Sequence, residues 1–389
     1  MDWLDWILLL ARVVIVFVAL LVLVMLVVWV ERKVVADMQT RLGPRRAGPF
    51  GVLITLADGI KLFFKEGVTP VQAERPVYVL APVLSLIPAL LAFAVVPFGT
   101  GVTLFGRHVP FQLADLNVGV LFFLAMGSLA IYGIVLAGWA SGSAYPLLGG
   151  IRSSAQMISY EVGMGLGLVA VLMYAGTLQM SEIVARQGGA LEFFGTGVPV
   201  FPRWNIVPQL PAFLIFMYAA LAETNRPPFD MPEAESELVA GYHTEYSGIR
   251  FAMFFLAEYL HMITISAVAV TLFLGGWRGP IFGFLPWLWP TVWFFLKVAL
   301  LVFLFVWVRA TIPRIRYDRL MRFGWKVVIP FSLLWILLTG AIVVIPDVYG
   351  RDALFRWLAI GAGVVLLLSL VWPLFSRDRE APHAVRSEG

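Results

Sequence analysis

The chain has 389 residues, of which 60% are hydrophobic and only 13% charged, about half the charge a soluble domain carries. It has no cysteine, which excludes structural disulfides, thiolate-bound zinc and cysteine-ligated iron–sulfur clusters. The net charge is +4 and the mean hydropathy +0.89, so a basic, strongly apolar chain is to be explained.

A spanning helix needs about 20 apolar residues. Nine runs meet or approach that length: 7–30, 77–97, 117–138, 157–176, 207–222, 251–274, 289–309, 327–345 and 354–374. The expected fold is one all-α polytopic membrane domain over 1–389. The first run is too long for a signal peptide and lacks a small-residue cleavage site, so it reads as a first span. With the N-terminus outside, the inside segments are 31–76, 139–156, 223–250, 310–326 and the tail after 375. They hold roughly 19 Lys and Arg against about five in the outside connections. This predicts a multi-pass protein with its C-terminus in the cytoplasm. Trp277, Trp287, Trp289 and Trp325 fall near predicted boundaries, as interfacial anchors do.

Arg12 lies in the first run, where a snorkelling side chain is the simplest reading. Segment 31–76 opens "ERKVVADMQTRLGPRRAGPFG". Val34, Val35, Met38 and Leu42 follow helical spacing among Arg32, Lys33, Arg41, Arg45 and Arg46, which predicts an amphipathic helix flat on the inner interface. Gly43-Pro44 ends it. It is either a positive-inside anchor or the frame of an opening for something arriving from lipid. In "LADGIKLFFKEG", Asp58, Lys61 and Lys65 share one face. That face is either a solvated ion-pair stripe or the wall of an enclosed cavity.

Further along, ionisable residues enter the apolar runs. Glu161 follows Tyr160 in the fourth, and Gly163 and Gly167 there read as helix-packing positions. Glu223 closes the fifth, Glu258 lies in the sixth with His261 three residues on, and Lys297 sits in the seventh. Each costs roughly 2.5–3.5 kcal/mol to insert, so such groups face protein or water. Burial raises a carboxyl pKa and a nearby cation lowers it, so a series of them can hold and release protons near neutrality.

Segment 223–250 begins "ETNRPPFDMPEAESEL", with Glu223, Asp230, Glu233, Glu235 and Glu237. Pro227, Pro228 and Pro232 stiffen it. It is either a solvated acidic loop or a continuation of the carboxylate line, with Arg226 and Arg250 as counter-ions. "GYHTEY" adds Tyr242, His243 and Glu245, a set suited to a polar, oxidisable ring. Segment 310–326 is basic, as a positive-inside loop or a dock for an acidic soluble partner. No phosphate loop, dinucleotide fingerprint or paired-His haem spacing is present, and the four His are at 108, 243, 261 and 383. No metal site, flavin site or nucleic-acid surface is expected. Electrons for any redox chemistry must come from a partner.

The strings "RLGPRRAGPFG", "ADGIKLFFKE", "GWASGSAYPLLGGIRSSAQMISYE", "RPPFDMPEAESELVAGYHTEYSG", "AEYLHMITISA" and "RATIPRIRYDRLMRFGWK" closely resemble the H-subunit family of bacterial NADH–quinone oxidoreductase, respiratory complex I, which corresponds to NADH dehydrogenase subunit 1 of mitochondria. The match runs from the first span to about residue 345.

The resemblance implies eight family spans and, here, an extra ninth at 354–374. It implies a plasma-membrane subunit forming the membrane side of a quinone-reduction chamber, for ubiquinone or menaquinone, and coupling that chemistry to proton transport. Flavin and iron–sulfur clusters would belong to peripheral-arm subunits, and the other neighbours would be small and antiporter-like membrane subunits and lipid. Quinone access would lie between the first and sixth spans and the flat helix, near Arg32, Met38, Arg41 and Arg45. Asp58 and Lys61 would be charged chamber positions. Arg226, Phe229, Asp230, Glu233, Glu235 and Glu237 would form the coupling loop, and Glu161, Glu223 and Glu258 the buried carboxylate path. Arg314, Arg316 and Asp318 match the family's inside loop near the peripheral contact. Some relatives carry a carboxylate where this chain has Ser128. The rival readings are the anchor subunit of a related membrane-bound hydrogenase, a stand-alone ion transporter, and a plain membrane anchor.

Overall fold

The computed structural model describes residues 3–104, 106–193, 196–230, 238–281, 283 and 285–349. The long helices, in chain order, are α1 (Trp3–Met38), α3 (Arg75–Phe93), α4 (Gly119–Ala140), α5 (Ala144–Ala175), α7 (Leu210–Glu223), α8 (Gly248–Phe273), α9 (Leu288–Thr311) and α11 (Ile329–Tyr349). Between them lie three short helices, α2 (Ile54–Phe64), α6 (Met180–Arg186) and α10 (Tyr317–Phe323), and a π-helical turn, Gly324–Val328, joins α10 to α11. There are also two 3-10 turns, Pro49–Gly51 and Gly241–His243, and two antiparallel hairpins: β1 (Val102–Leu104) with β2 (Arg107–Val109), and β3 (Ala190–Phe193) with β4 (Thr196–Pro202). The chain divides into two compact units, Met1–Ile336 and Leu337–Gly389.

Seven described helices are long and apolar enough to cross a membrane. The expected fifth span, α7, has only 14 residues, a rise of about 21 Å, short of the hydrocarbon thickness of about 30 Å. Pro208 and Pro211 delimit its start, and Asn225 at positive φ followed by Pro227 and Pro228 stops it. The run at 354–374 lies outside the described residues.

The amphipathic stretch is placed differently from expectation. Residues 31–38 are not a separate flat helix; they are the last turns of α1, which runs unbroken over 36 residues. No glycine or proline separates the span from "ERKVV", so helical hydrogen bonding continues until the turn before Gly43-Pro44. The separate short helix is α2, which carries Asp58 and Lys61 and has no buried residue.

α8 is the axis of the core. From Tyr259 to Phe273 every residue is buried, as expected for a helix apolar on all sides. α1 buries only a stripe, Val16, Leu20, Val24, Val27, Val28, Glu31 and Ala36, mostly at three- to five-residue spacing. α3 and α4 approach closely because Gly133 faces Ser85, where an added Cβ would overlap the hydroxyl oxygen. Gly167 packs on α7 at Ala212 and Ile215, as its spacing predicts, whereas Gly163 faces Val328.

Candidate functional site

One end of the bundle gathers charges from four elements. Glu31 comes from the last turns of α1, Arg226 from the loop after α7, Glu258 and Tyr259 from α8, and Arg309 from the end of α9. Arg226 Nη1 donates to both Glu31 oxygens at 3.1 and 3.2 Å and to the Tyr259 hydroxyl at 3.3 Å. Tyr259 in turn donates to Glu31 Oε2 at 2.8 Å. Arg226 Nε lies 2.7 Å from Glu258 Oε1, and the guanidinium sits 3.9 Å from the Tyr259 ring centroid, in cation–π contact. Arg309 closes the cluster with a further ion pair to Glu31.

Glu31 and Arg226 are only 5% and 4% exposed. Charges so buried hold only as a paired set.

Beside this cluster is a cavity of about 310 Å³ lined by Glu31, Arg32, Arg41, Arg226, Asp230 and Tyr259 among others, at the lower end of small-molecule sites. Asp230, also buried, accepts from Arg314 Nη2 at 3.1 Å. The Pro227-Pro228 bond is cis. The loop is pinned from behind by Gln156, whose side-chain amide donates to the carbonyls of Ala222 and Phe229 at 2.7 and 2.8 Å.

A second, smaller cavity of about 50 Å³ shares Asn225 and Glu258 with the first. It has room for water. Glu258 lines both cavities, and Glu223, His261, Tyr242 and His243 line the second. Burial drives the His243 pKa down to about 4, so its ring is neutral at pH 7. Glu223 Oε1 lies 3.1 Å from His261 Nε2, and its other oxygen has no hydrogen-bond partner among the described residues. Neighbouring residues of α4 reach two acids: a Cβ at Gly127 would stand 3.4 Å from Glu223 Oε1, and the Ser128 hydroxyl donates to Glu161 Oε1 in a short hydrogen bond. The order is therefore polar cavity, Glu258, small cavity, Glu223 with His261, then Ser128 with Glu161.

A family model described as NADH dehydrogenase matches residues 11–340. The chain belongs to that family. It is 52% identical over 392 aligned residues to the NADH-quinone oxidoreductase H subunit of Frankia alni, covering 98% of this chain and 83% of the relative. The corresponding protein of Frankia casuarinae is 50% identical over 389 residues, covering 97% of this chain and 82% of the relative.

Within this NADH dehydrogenase family member, the candidate residues fall into four groups. Arg226, Glu258, Glu223 and Glu161 line up along the path just described. Arg32 and Arg41 line the polar cavity, and Arg32 holds Asp58 at 2.6 Å, with Lys61 on the other Asp58 oxygen at 3.4 Å. Burial alone would raise the Asp58 pKa. The hydrogen bonds and charges of Arg32 and Lys61 outweigh it and hold the carboxyl below its ordinary range.

Met38, Arg45 and Phe229 do not line the polar cavity. Met38 is exposed, and Arg45 lines a separate surface cavity with Lys33, Asp37 and Phe50. Phe229 is buried, its ring edge-on to Tyr218 at 5.2 Å, because the stiff loop turns it into the core. Glu233, Glu235 and Glu237 lie outside the described residues.

Sequence reasoning missed Glu31, Tyr259 and Arg309. Glu31 was legible as the one acid at the junction of the first apolar run and its basic tail, and Tyr259 as the neighbour of Glu258; Arg309 closed a run like any positive-inside residue. Two other intramembrane cations serve backbone carbonyls. Arg12 donates to Leu113 and Pro110, at 3.2 and 3.5 Å, and Lys297 to Leu274, Gly276 and Arg278, at 2.7, 3.0 and 2.7 Å. Among the described residues, no three His, Asp or Glu side chains converge as a metal site would require.

Proposed function

We propose that this chain is the quinone-site and coupling subunit of a proton-translocating NADH–quinone oxidoreductase in a bacterial plasma membrane, with its N-terminus outside. The observation that carries the reading is Glu258, which stands on both the polar cavity and the small cavity leading to Glu223. A quinone headgroup is a polar ring with two carbonyl acceptors. Arg226 and Tyr259 offer it a cation and a hydroxyl at the cavity wall. Reduction to quinol takes two electrons, supplied by partner subunits that carry the flavin and iron–sulfur centres, and two protons.

A unit charge appearing about 4 Å from a carboxylate is worth about 4 kcal/mol at an intermediate dielectric. Charge developing in the cavity therefore acts first on Glu258 and Glu31. Water in the small cavity bridges Glu258 to Glu223, His261 accepts or returns a proton at Nε2, and Ser128 presents its hydroxyl to Glu161 toward the antiporter-like subunits. Asp230 and the acids at 233, 235 and 237 form the coupling loop, held on one side by Arg314.

The test is Glu223→Gln in the assembled enzyme. The expected result is that NADH-driven quinone reduction and proton pumping fall together by at least about tenfold, the effect of about 1.4 kcal/mol on a rate. Full coupled activity in the variant overturns the relay.

A further inference from the structure

A separate cavity, of about 360 Å³, lies at the other end of α1, between that helix and the β1–β2 hairpin. Asp5, Leu8, Leu9 and Arg12 share one face of α1 and line it from one side, and Arg107 and His108 of β2 line it from the other. The hairpin is fixed from behind. Phe111 stacks on Phe98 at 5.7 Å and meets Trp287 edge-on at 6.4 Å.

The charges of this wall do not cancel. Asp5 is in an ion pair with Arg107. Arg12 reaches only the carbonyls of Leu113 and Pro110, at 3.2 and 3.5 Å, and among the described residues no carboxylate pairs with it. Its Nε is buried without a hydrogen-bond partner there. The cavity wall is therefore net positive, and a guanidinium suits the oxygens of a phosphate.

The depth of the cavity in a bilayer follows from α1 itself. Arg12 and Glu31 stand on one continuous helix, and no charged residue lies between them. Their separation along the axis is about 28 Å, close to the hydrocarbon thickness of about 30 Å. With Glu31 at one edge of the hydrocarbon, Arg12 is at the other, at the level of lipid phosphates. Trp3 and Trp6 are exposed just beyond it, as in an aromatic belt. Towards the membrane centre the flank of α1 exposes Val13, Val14 and Phe17, a surface for acyl chains.

We infer that this cavity binds the phosphodiester of an anionic phospholipid, such as phosphatidylglycerol, from the leaflet opposite the polar cavity. Arg12 supplies the charge, and Leu8 and Leu9 pack against the glycerol end of the chains. The lipid joins α1 to the hairpin beside two direct straps, the Asp5–Arg107 ion pair and the Arg12 hydrogen bonds.

The test places the assembled enzyme in phosphatidylcholine vesicles carrying a trace of phosphatidylglycerol with a photoreactive diazirine on its acyl chain. Peptides of α1 around Arg12 and of the hairpin should be labelled at least about tenfold more than by phosphatidylcholine bearing the same diazirine, the worth of one charge-assisted contact. Arg12→Gln should remove that excess. Equal labelling by the two lipids overturns the assignment, and so does an excess unchanged in Arg12→Gln. Loss of the excess on adding inorganic phosphate also overturns it, because the site would then take a free anion. Should Arg12→Gln fail to assemble, Leu8→Glu puts an acid in the cavity without removing a hydrogen bond, and Leu8→Gln controls for size. The excess should vanish in the first and persist in the second; the same labelling in both rejects the site. Labelling is read without quinone turnover, so either outcome leaves the coupling function to its own test.

Discussion

The two halves of α8 treat buried polar groups in opposite ways. In its first half, Glu258, Tyr259 and His261 contact other ionisable side chains directly, beside open cavities. At its far end, polar side chains meet backbone. Gln187 donates to the Thr271 carbonyl at 2.9 Å, Asn205 to that of Leu272 at 2.8 Å, and Lys297 to three carbonyls just beyond. The last carbonyls of a helix have no partner within it, and a cation there also suits the helix dipole. Lys297 thus resembles Glu258 in sequence, one charge in an apolar run, yet it serves as a cap. A buried charge becomes a candidate for chemistry only with a titratable partner and a space beside it.

Arg226→Gln should have the largest effect. It strips Glu31 and Glu258 of their shared cation, and breaking a buried pair costs about 3–5 kcal/mol. Quinone reductase activity per assembled complex should fall more than about a hundredfold, measured with NADH and a short-tailed quinone. An active Arg226→Gln enzyme would erase the contrast between the halves of α8. Lys297→Met probes the other half. Leaving buried carbonyls unsatisfied costs about 2–3 kcal/mol, so the yield and thermal stability of the complex should drop. Turnover per assembled complex should stay within twofold; a selective loss of turnover would make Lys297 part of the chemistry.

Ser128→Ala removes one hydroxyl from Glu161, worth about 0.5–1.5 kcal/mol. Coupled turnover should decline less than about tenfold, with quinone KM unchanged. Asp58→Asn is the mildest. The Arg32 pair is partly exposed, so its contribution is about 0.5 kcal/mol after screening. Because the folded pKa lies below the ordinary value of 3.8, this stabilisation is present above that value and is lost as pH falls through the folded pKa. The difference in thermal midpoint between Asp58→Asn and the parent should vanish on acidification; a difference that grew toward acid would contradict the sign.

Much of the fold follows from the length of apolar runs alone, since each span satisfies its own backbone hydrogen bonds and little else decides its existence. The boundaries at α7 and α1 do not. α7 is shorter than its apolar run because prolines bound it, and α1 longer because "ERKVV" offers nothing to stop a helix. In the site, Glu161, Glu223 and Glu258 were legible as isolated charges at costly positions. Glu31 was legible only as a lone acid at the end of the first run, and Arg309 not at all, because charge at the end of a run is ordinary. Their pairing joins residues 278 apart in sequence, and no local pattern encodes such a contact. Phe229 shows the converse: the acidic loop is legible as a unit, but the direction of each side chain is set by Gln156 and the prolines behind it.

The central claim is that the cavity beside Arg226 receives the quinone headgroup and communicates with the carboxylates through Glu258. The most direct test is a structure of the intact assembly with bound quinone. The headgroup should lie in the roughly 310 Å³ cavity, against Arg226 and Tyr259, with water between Glu258 and Glu223. A headgroup seated elsewhere, with that cavity closed by side chains and Glu223 cut off from Glu258, would contradict it.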